Sequence, residues 1–351
     1  MKLNKLVRES IAALKPYSSA RDEFSGEAMV FLDANENPYN EPYNRYPDPH
    51  HKALKDRIAL LKGTGPEQIF LGNGSDEPID LLIRAFCEPG KHNIVMMTPT
   101  YGMYEVAAGI NNIETIKVQL SPEFQLNAAS MLAAATKESR LMFLCSPNNP
   151  TGNLLDTDEI VSLIKRFEGI VVVDEAYIDF APGRSLLPKL SLYDNLVVLQ
   201  TFSKAWGMAG LRLGMAFGSP EIIAVLNKIK YPYNLNMLTQ EVALRRLDYA
   251  AEVDKWVSLL IEERNRMATA LAEINGVERV FPSDANFLLV RVKQARKIYD
   301  QLLHKGIVVR DRSSVVLCQD SLRITVGTPA ENILLLEALA ASIDNSITTK
   351  P

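Results

Sequence analysis

The chain has 351 residues, enough for roughly two domains at about 150 residues each. It carries 38 Lys and Arg against 42 Asp and Glu, a formal net charge of −4, with 47% hydrophobic residues. That balance excludes the basic excess of a dedicated nucleic-acid or membrane-surface binder, and no apolar run approaches the ~18 residues of a membrane span.

Residues 1–10 (M-K-L-N-K-L-V-R-E-S) hold basic side chains but no apolar core of signal-peptide length. Cys87, Cys145 and Cys318 are far apart and lack C-x-x-C spacing. A reducing compartment, and hence a cytoplasmic protein, is expected. His50 and His51 are adjacent and so point apart on any regular element, while His92 and His304 stand alone. No metal site is expected. Asn73-Gly74-Ser75 matches a glycosylation acceptor in form.

From about residue 67 to 218, short apolar runs alternate with helix-like stretches. Residues 68–72 (Q-I-F-L-G) precede a loop and an amphipathic run from Glu77 to Cys87. Residues 93–97, 141–145, 170–174, 196–200 and 213–217 follow, apolar at nearly every position. Such runs predict strands buried on both faces, as in a parallel sheet covered by helices, and the alternation predicts an α/β domain. After Pro220 the texture changes. Residues 238–275 read as helical, and strand-like runs at 277–280, 286–292, 306–310 and 321–327 accompany helix-like runs at 295–305 and 331–343. The expected division is a large domain over 40–250 and a smaller α+β unit over 251–351, joined by the N-terminal arm, 1–39.

Ligands of open α/β sheets bind beyond the carboxyl ends of the strands, and polar residues collect there. Residues 72–77 (G-N-G-S-D-E) form a Gly-containing turn entering a helix, a place that suits a phosphate, although an ordinary capped turn has the same signature. Residues 146–152 (S-P-N-N-P-T-G) present Asn148 and Asn149 on a rigid turn. Asp174 and Glu175 end a doubly buried run, where a carboxylate is costly without a partner, be it a structural arginine or a cationic ligand. Lys204 follows another buried run, with Ser203 before it and Arg212 eight residues on. A lysine lodged in a cleft loses charge by desolvation and becomes a nucleophile. Together these groups meet the needs of a phosphorylated aromatic aldehyde: a lysine for its carbonyl, donors for its phosphate, and a carboxylate to keep its ring nitrogen protonated.

The chain resembles the pyridoxal-phosphate enzymes of the aspartate-aminotransferase fold, and among them the histidinol-phosphate aminotransferase family. The resemblance runs from residues 14–21 (L-K-P-Y-S-S-A-R) to 322–328 (L-R-I-T-V-G-T). It is carried by 44–49 (N-R-Y-P-D-P), 98–104 (T-P-T-Y-G-M-Y), 146–152, 174–177 (D-E-A-Y) and 203–214 (S-K-A-W-G-M-A-G-L-R-L-G), in the family's order. It implies a large domain with a mainly parallel seven-stranded sheet and a smaller α+β domain. It also implies that Lys204 bonds pyridoxal 5'-phosphate and shuttles a proton, that Asp174 pairs with the ring nitrogen, and that Asn149 and Tyr177 meet the ring hydroxyl. Tyr101 would stack on the ring. Ser75, Asp76, Ser203 and Arg212 would hold the phosphate, with Tyr46 reaching it from the neighbouring subunit of a homodimer.

Residues 321–326 alternate, so Arg323 points away from the face of Leu322, Ile324 and Val326. A solvated sheet face would look the same; by resemblance, Arg323 meets the active site. Arg323, Arg310, Tyr17 and Asn149 are then the candidates for binding substrate. The implied reaction moves an amino group between L-histidinol phosphate and 2-oxoglutarate in histidine biosynthesis. Threonine-phosphate decarboxylase and broad aromatic aminotransferase activities stay open on the same cofactor site.

Overall fold

A computed structural model describes residues 3–17 and 29–348; residues 18–21 of the first family motif lie outside the described residues. The long apolar runs form a seven-stranded sheet of β1 (Ile69–Asn73), β2 (Asn93–Thr98), β3 (Glu114–Gln119), β4 (Ser139–Cys145), β5 (Ile170–Asp174), β6 (Leu196–Thr201) and β7 (Leu213–Phe217). Their order is β1-β7-β6-β5-β4-β2-β3. Pairing is parallel from β3 through β6, and β7 runs antiparallel to both β6 and β1. Every residue of β5, β6 and β7 is buried, which is why these strands read as continuous apolar runs.

β3 was not foreseen among the strand-like runs. It is the edge strand, exposed or half-exposed along its length, and its Glu-Thr-Ile-Lys-Val-Gln pattern has too few apolar positions to stand out.

Helices α1 (Glu9–Ala13), α2 (Lys52–Lys62), α3 (Asp76–Phe86), α4 (Met103–Ile110), α5 (Ala128–Ala134) and α6 (Thr157–Arg166) precede α7 (Pro220–Ile229) and α8 (Met237–Leu247). They start where side chains satisfy free N–H groups. Asp156 accepts from Asp158 and Glu159, Asn127 from Ser130, and Ser219 from Ile222 with Pro220 following. Among the described residues no helix is long and apolar enough to cross a membrane.

The second sheet has β8 (Val277–Val280), β9 (Phe287–Val292), β10 (Arg310–Asp311) and β11 (Ser321–Thr325), all antiparallel, in the order β10-β11-β9-β8. Helix α9 (Ala250–Glu273) leads into it, and α10 (Ala295–His304) and α11 (Pro329–Thr348) complete the unit. The run 306–310 yields only the short β10. Gly306, at φ +75°, turns the chain out of α10, and Val308 is 79% exposed, so the apolar stretch crosses to the sheet edge before it pairs.

Two cores result, and α9 serves both. Val253 and Val257 pack with the large core, while Met267 and Leu271, further along the same helix, pack with the smaller one. The N-terminal segment departs from its expected grouping with the smaller unit. Leu3 and Leu6 are buried in the large core, and Arg8 pairs with Glu88 at 3.1 Å. Lys228 on α7 donates to the Ala12 carbonyl at 2.9 Å. Two apolar residues and an ion pair therefore tie this segment to the large unit.

The units are pinned together beside the ends of the parallel strands. Asp284 accepts from the Leu154 N–H at 2.8 Å through its carboxylate, and its own N–H donates to the Gly152 carbonyl at 2.7 Å. At the same edge of the large sheet, Gly214 of β7 lies against the backbone of Gly74 and Ser75, and a Cβ there would collide with both. Gly214→Ala is expected to cost about 1–3 kcal/mol through overpacking, read as a lower denaturant midpoint at unchanged slope.

Candidate active site

Parallel strands place their carboxyl ends on one edge of a sheet, and β7, running the other way, brings its first residues to that edge. The loops there enclose a cavity of about 660 Å³. It is lined by Ser75, Asp76, Tyr101, Asn149, Asp174, Tyr177, Ser203, Lys204 and Arg212 from the large unit, and by Arg310 and Arg323 from the small sheet. Of the residues singled out from sequence, Tyr17 and Tyr46 do not line it. Tyr17 is 71% exposed. Tyr46 stacks on Tyr233, ring centroids 4.4 Å apart, and stays half exposed.

Asp174 is the last residue of β5 and is 2% exposed. One carboxylate oxygen accepts from the Ala176 N–H at 3.0 Å and the other from the Tyr104 hydroxyl at 2.6 Å. Burial pushes its pKa up from 3.8 to about 6, against the pull of those two hydrogen bonds. Tyr104 is fully buried, stacked on Phe143 at 4.8 Å. It stands in the 98–104 motif, three residues after Tyr101, but only its burial against Asp174 reveals a role.

Glu175 faces the other side of the sheet and is a structural carboxylate. It accepts from the Ser185 hydroxyl at 2.6 Å, the Leu186 N–H at 2.6 Å and the Gln200 amide at 2.9 Å. The two adjacent acids thus divide cleanly: Glu175 is saturated by protein donors, and Asp174 opens on the cavity.

Lys204 follows β6 by three residues, after Phe202 donates to Leu213 at 3.1 Å and closes the turn. Its side chain projects into the cavity and is exposed to that volume, yet the surrounding walls lower its pKa, first by desolvation and then through the positive charge of Arg323. Its ammonium lies 5.5 Å from the Tyr177 ring centroid and makes no hydrogen bond or ion pair with the described residues.

At one end of the cavity, Gly74 turns β1 into α3 at φ +70°, with Arg212 so close that a Cβ on Gly74 would meet its guanidinium at 2.6 Å. The Gly74 N–H donates to the Arg212 carbonyl at 2.7 Å. Arg212 itself adopts φ 52°, uncommon outside glycine, which aims its side chain back over the start of α3. Its guanidinium is 3.5 Å from Asp76, and Asp76 also accepts from the Tyr101 hydroxyl at 3.0 Å. Ser203 is held through Thr201, hydroxyl to hydroxyl at 3.0 Å. The free N–H groups of the α3 N-terminus, two hydroxyls and an arginine form an anion cradle.

Asn148 and Asn149 also separate. Asn148 is fully buried and ties two loops, accepting from Thr100 at 2.9 Å and donating to the Pro99 carbonyl at 3.0 Å and to Thr151 at 2.7 Å. Asn149, so braced, donates to the Tyr177 hydroxyl at 3.5 Å and accepts from Arg323 at 2.5 Å. That last contact brings the small sheet into the site. Arg323 sits beside the Phe287 ring, 5.3 Å from its centroid. Arg312 also lines the cavity and was not among the residues singled out from sequence; its i, i+2 spacing from Arg310 was the available signal.

These residues fit pyridoxal phosphate on the structure's own terms. Among the described residues no cationic side chain bonds the buried Asp174 carboxylate and no hydrogen bond or ion pair engages the Lys204 amine in the same cavity, and the cradle suits an anion. A mainly parallel sheet with this lysine, carboxylate and anion cradle on one edge is the arrangement that suits a pyridoxal-phosphate-dependent enzyme.

The chain belongs to the aminotransferase class I and II family, whose model matches residues 30–339. It is 59% identical over 337 residues to the histidinol-phosphate aminotransferase of Parabacteroides distasonis, covering 96% of this chain and 98% of that one. Among solved structures it is similar to the histidinol-phosphate aminotransferase of Clostridium acetobutylicum, with TM-score 0.80, 25% identity and coverage of 86% and 92%. The Sinorhizobium meliloti enzyme in complex with pyridoxal-5'-phosphate matches at TM-score 0.79 and 26% identity, covering 86% and 84%.

The raised pKa of Asp174 has a consequence for stability. The folded protein binds this proton more tightly than the unfolded chain, so ionisation costs stability as pH rises through the window from about 4 to about 6, and the cost stands in full above it. Between 3.8 and about 6 that amounts to roughly 3 kcal/mol. In cofactor-free protein, Asp174→Asn is expected to raise stability by up to about 3 kcal/mol at pH 8, with the gain shrinking at pH 4.5. Denaturant unfolding at the two pH values measures it; an equal gain at both would contradict the assignment.

Proposed function

We propose that this chain is a pyridoxal-phosphate-dependent histidinol-phosphate aminotransferase. It would exchange the amino group of L-histidinol phosphate for the keto oxygen of 2-oxoglutarate, giving imidazole acetol phosphate and L-glutamate, a step of histidine biosynthesis. The observation that carries the reading is the meeting of Lys204 and Asp174 in one cavity whose opposite walls are arginines from two different units. The 59% identity to an enzyme of that name supports the choice of substrate.

When bound, pyridoxal phosphate supplies a carbonyl that a primary amine can bond and a protonated ring that takes up electron density. The chain's residues do the rest. Asp174 is the acceptor that keeps the ring nitrogen protonated, and Tyr104 and the Ala176 N–H fix both of its oxygens for that task. Asn149 and Tyr177 meet the ring hydroxyl, and Tyr101 covers the ring face. Ser75, Asp76 through its backbone N–H, Ser203 and Arg212 hold the cofactor phosphate. Lys204, its pKa lowered by desolvation and by Arg323, would take the proton from the substrate's Cα and deliver it to the cofactor's C4′. Arg310 and Arg323 take the anionic end of the substrate, where a planar fork suits phosphate or carboxylate oxygens.

The site is completed in a cytoplasmic homodimer. Tyr46, half exposed and stacked on Tyr233, is the residue that reaches the cofactor phosphate of the neighbouring subunit. Tyr17, exposed in the single chain, closes over the substrate from the N-terminal segment.

Two measurements test the reading. The cofactor-loaded protein mixed with L-histidinol phosphate alone is expected to lose its visible absorption band, and 2-oxoglutarate is expected to restore it. Release of carbon dioxide from L-threonine phosphate, without that exchange, would make the protein a decarboxylase instead. Lys204→Ala is expected to lower turnover at least about a thousandfold, in the range of a positioned acid–base group; near-normal turnover would remove Lys204 from the chemistry.

A further inference from the structure

We propose that Arg312 is a specificity-determining residue, the third arm of an arginine clamp with Arg310 and Arg323 that reads the doubly charged phosphate of the substrate. The inference rests on the substrate class proposed above and adds a residue that the sequence reading did not assign.

The argument begins with strand register. β10 and β11 pair Arg310 with Arg323 and Asp311 with Leu322, and the Arg312 N–H donates to the Ser321 carbonyl at 2.8 Å, carrying the pairing one residue further. Side chains alternate along a strand, so Arg310 and Arg312 share a face, and Arg323, opposite Arg310, shares it too. All three line the cavity. Asp311 is turned to the other face, where it takes the Ser313 hydroxyl at 2.6 Å and lies 3.7 Å from Arg296. The carboxylate closest in sequence is thereby withheld from the clamp.

Three guanidiniums on one face of a two-stranded patch repel one another. Arg323 spends one donor on Asn149. The Arg312 side chain makes no hydrogen bond or ion pair with the described residues, and its Nε is buried without a partner. Burial, then Arg323 and Arg310, push its pKa down to about 10, so the three like charges are felt at Arg312. The carboxylates lining the cavity are engaged elsewhere: Asp76 with Arg212 and Tyr101, and Asp174 with Tyr104 and Ala176. Arg140 and Arg291 also leave a buried Nε unbonded, but each spends a terminal donor on a backbone carbonyl, of Lys137 and Leu317; Arg312 spends none and alone of the three lines the cavity. An incoming anion relieves both the repulsion and the unmet donor. A carboxylate brings one charge and two oxygens. A phosphate monoester brings nearly two charges and three terminal oxygens, enough for a third arginine to engage.

Steady-state kinetics on the cofactor-loaded enzyme test this by comparing L-histidinol phosphate with L-histidinol for wild type, Arg312→Gln and Arg312→Lys. The ratio of kcat/KM for the phosphorylated over the unphosphorylated substrate is expected to fall at least tenfold in Arg312→Gln, mostly through KM, with partial recovery in Arg312→Lys. Calorimetric titration of the same loaded proteins with inorganic phosphate is expected to show a Kd at least tenfold weaker for Arg312→Gln. A ratio and a phosphate Kd both within twofold of wild type would overturn the clamp while leaving the proposed activity intact. No wild-type turnover of L-histidinol phosphate would overturn both. Arg312→Lys, which keeps the charge and loses the planar fork, supplies the same comparison if the glutamine variant does not fold.

Discussion

A carboxylate buried at the end of a central strand is the constraint around which this molecule is organised. Among the described residues Asp174 has two donors, Tyr104 and the Ala176 N–H, and burial raises its pKa to about 6. Two neutral donors do not repay the burial of a charge. Its neighbour Glu175 shows the alternative, a buried acid enclosed by a hydroxyl, a backbone N–H and an amide. Burial raises the pKa of Glu175 as well, to about 7, so what separates the two acids is position: Asp174 lines the cavity and Glu175 is enclosed by protein donors away from it.

The rest of the structure holds groups at fixed positions around that point. Parallel pairing brings Asn149, Asp174 and Lys204 to one edge, and the reversed β7 adds Arg212 from the opposite direction. Glycines at 74 and 214 let the first and last strands of that set approach closely enough for the arginine to fold over the start of α3. The small sheet is anchored through Asp284 and through the Arg323–Asn149 contact, so its arginines face the cofactor end at a set distance. The cavity thus has an anion cradle at one end, an arginine face at the other and the reactive amine between them. Such polarity suits a substrate whose amine and anion lie on opposite ends.

Much of this was legible in the sequence, for definite reasons. Strands buried on both faces are apolar throughout, so β1, β2 and β4 to β7 stand out, and residues that follow their ends line the cavity. β3 escaped because an edge strand needs few apolar side chains. The run 306–310 misled because Ile307, Val308 and Val309 look like a strand, although Val308 points to solvent. The N-terminal segment was grouped with the wrong unit because two leucines, Leu3 and Leu6, do not reveal which core they enter. Tyr104 was hidden for a related reason: a tyrosine between apolar residues reads as core, and only the fold shows that its hydroxyl ends on Asp174. Tyr46 and Tyr17 do not line the cavity of the single chain, and the roles proposed for them need a second subunit and a bound substrate.

The most direct test of the central claim is the protonation state of the cofactor's ring nitrogen on the protein. With pyridoxal phosphate labelled with nitrogen-15 in the ring, the nuclear magnetic resonance shift is expected to report a protonated nitrogen from pH 6 to 9 in the wild type and an unprotonated one in Asp174→Asn. An unprotonated nitrogen in the wild type, or a shift indifferent to the substitution, would contradict the account.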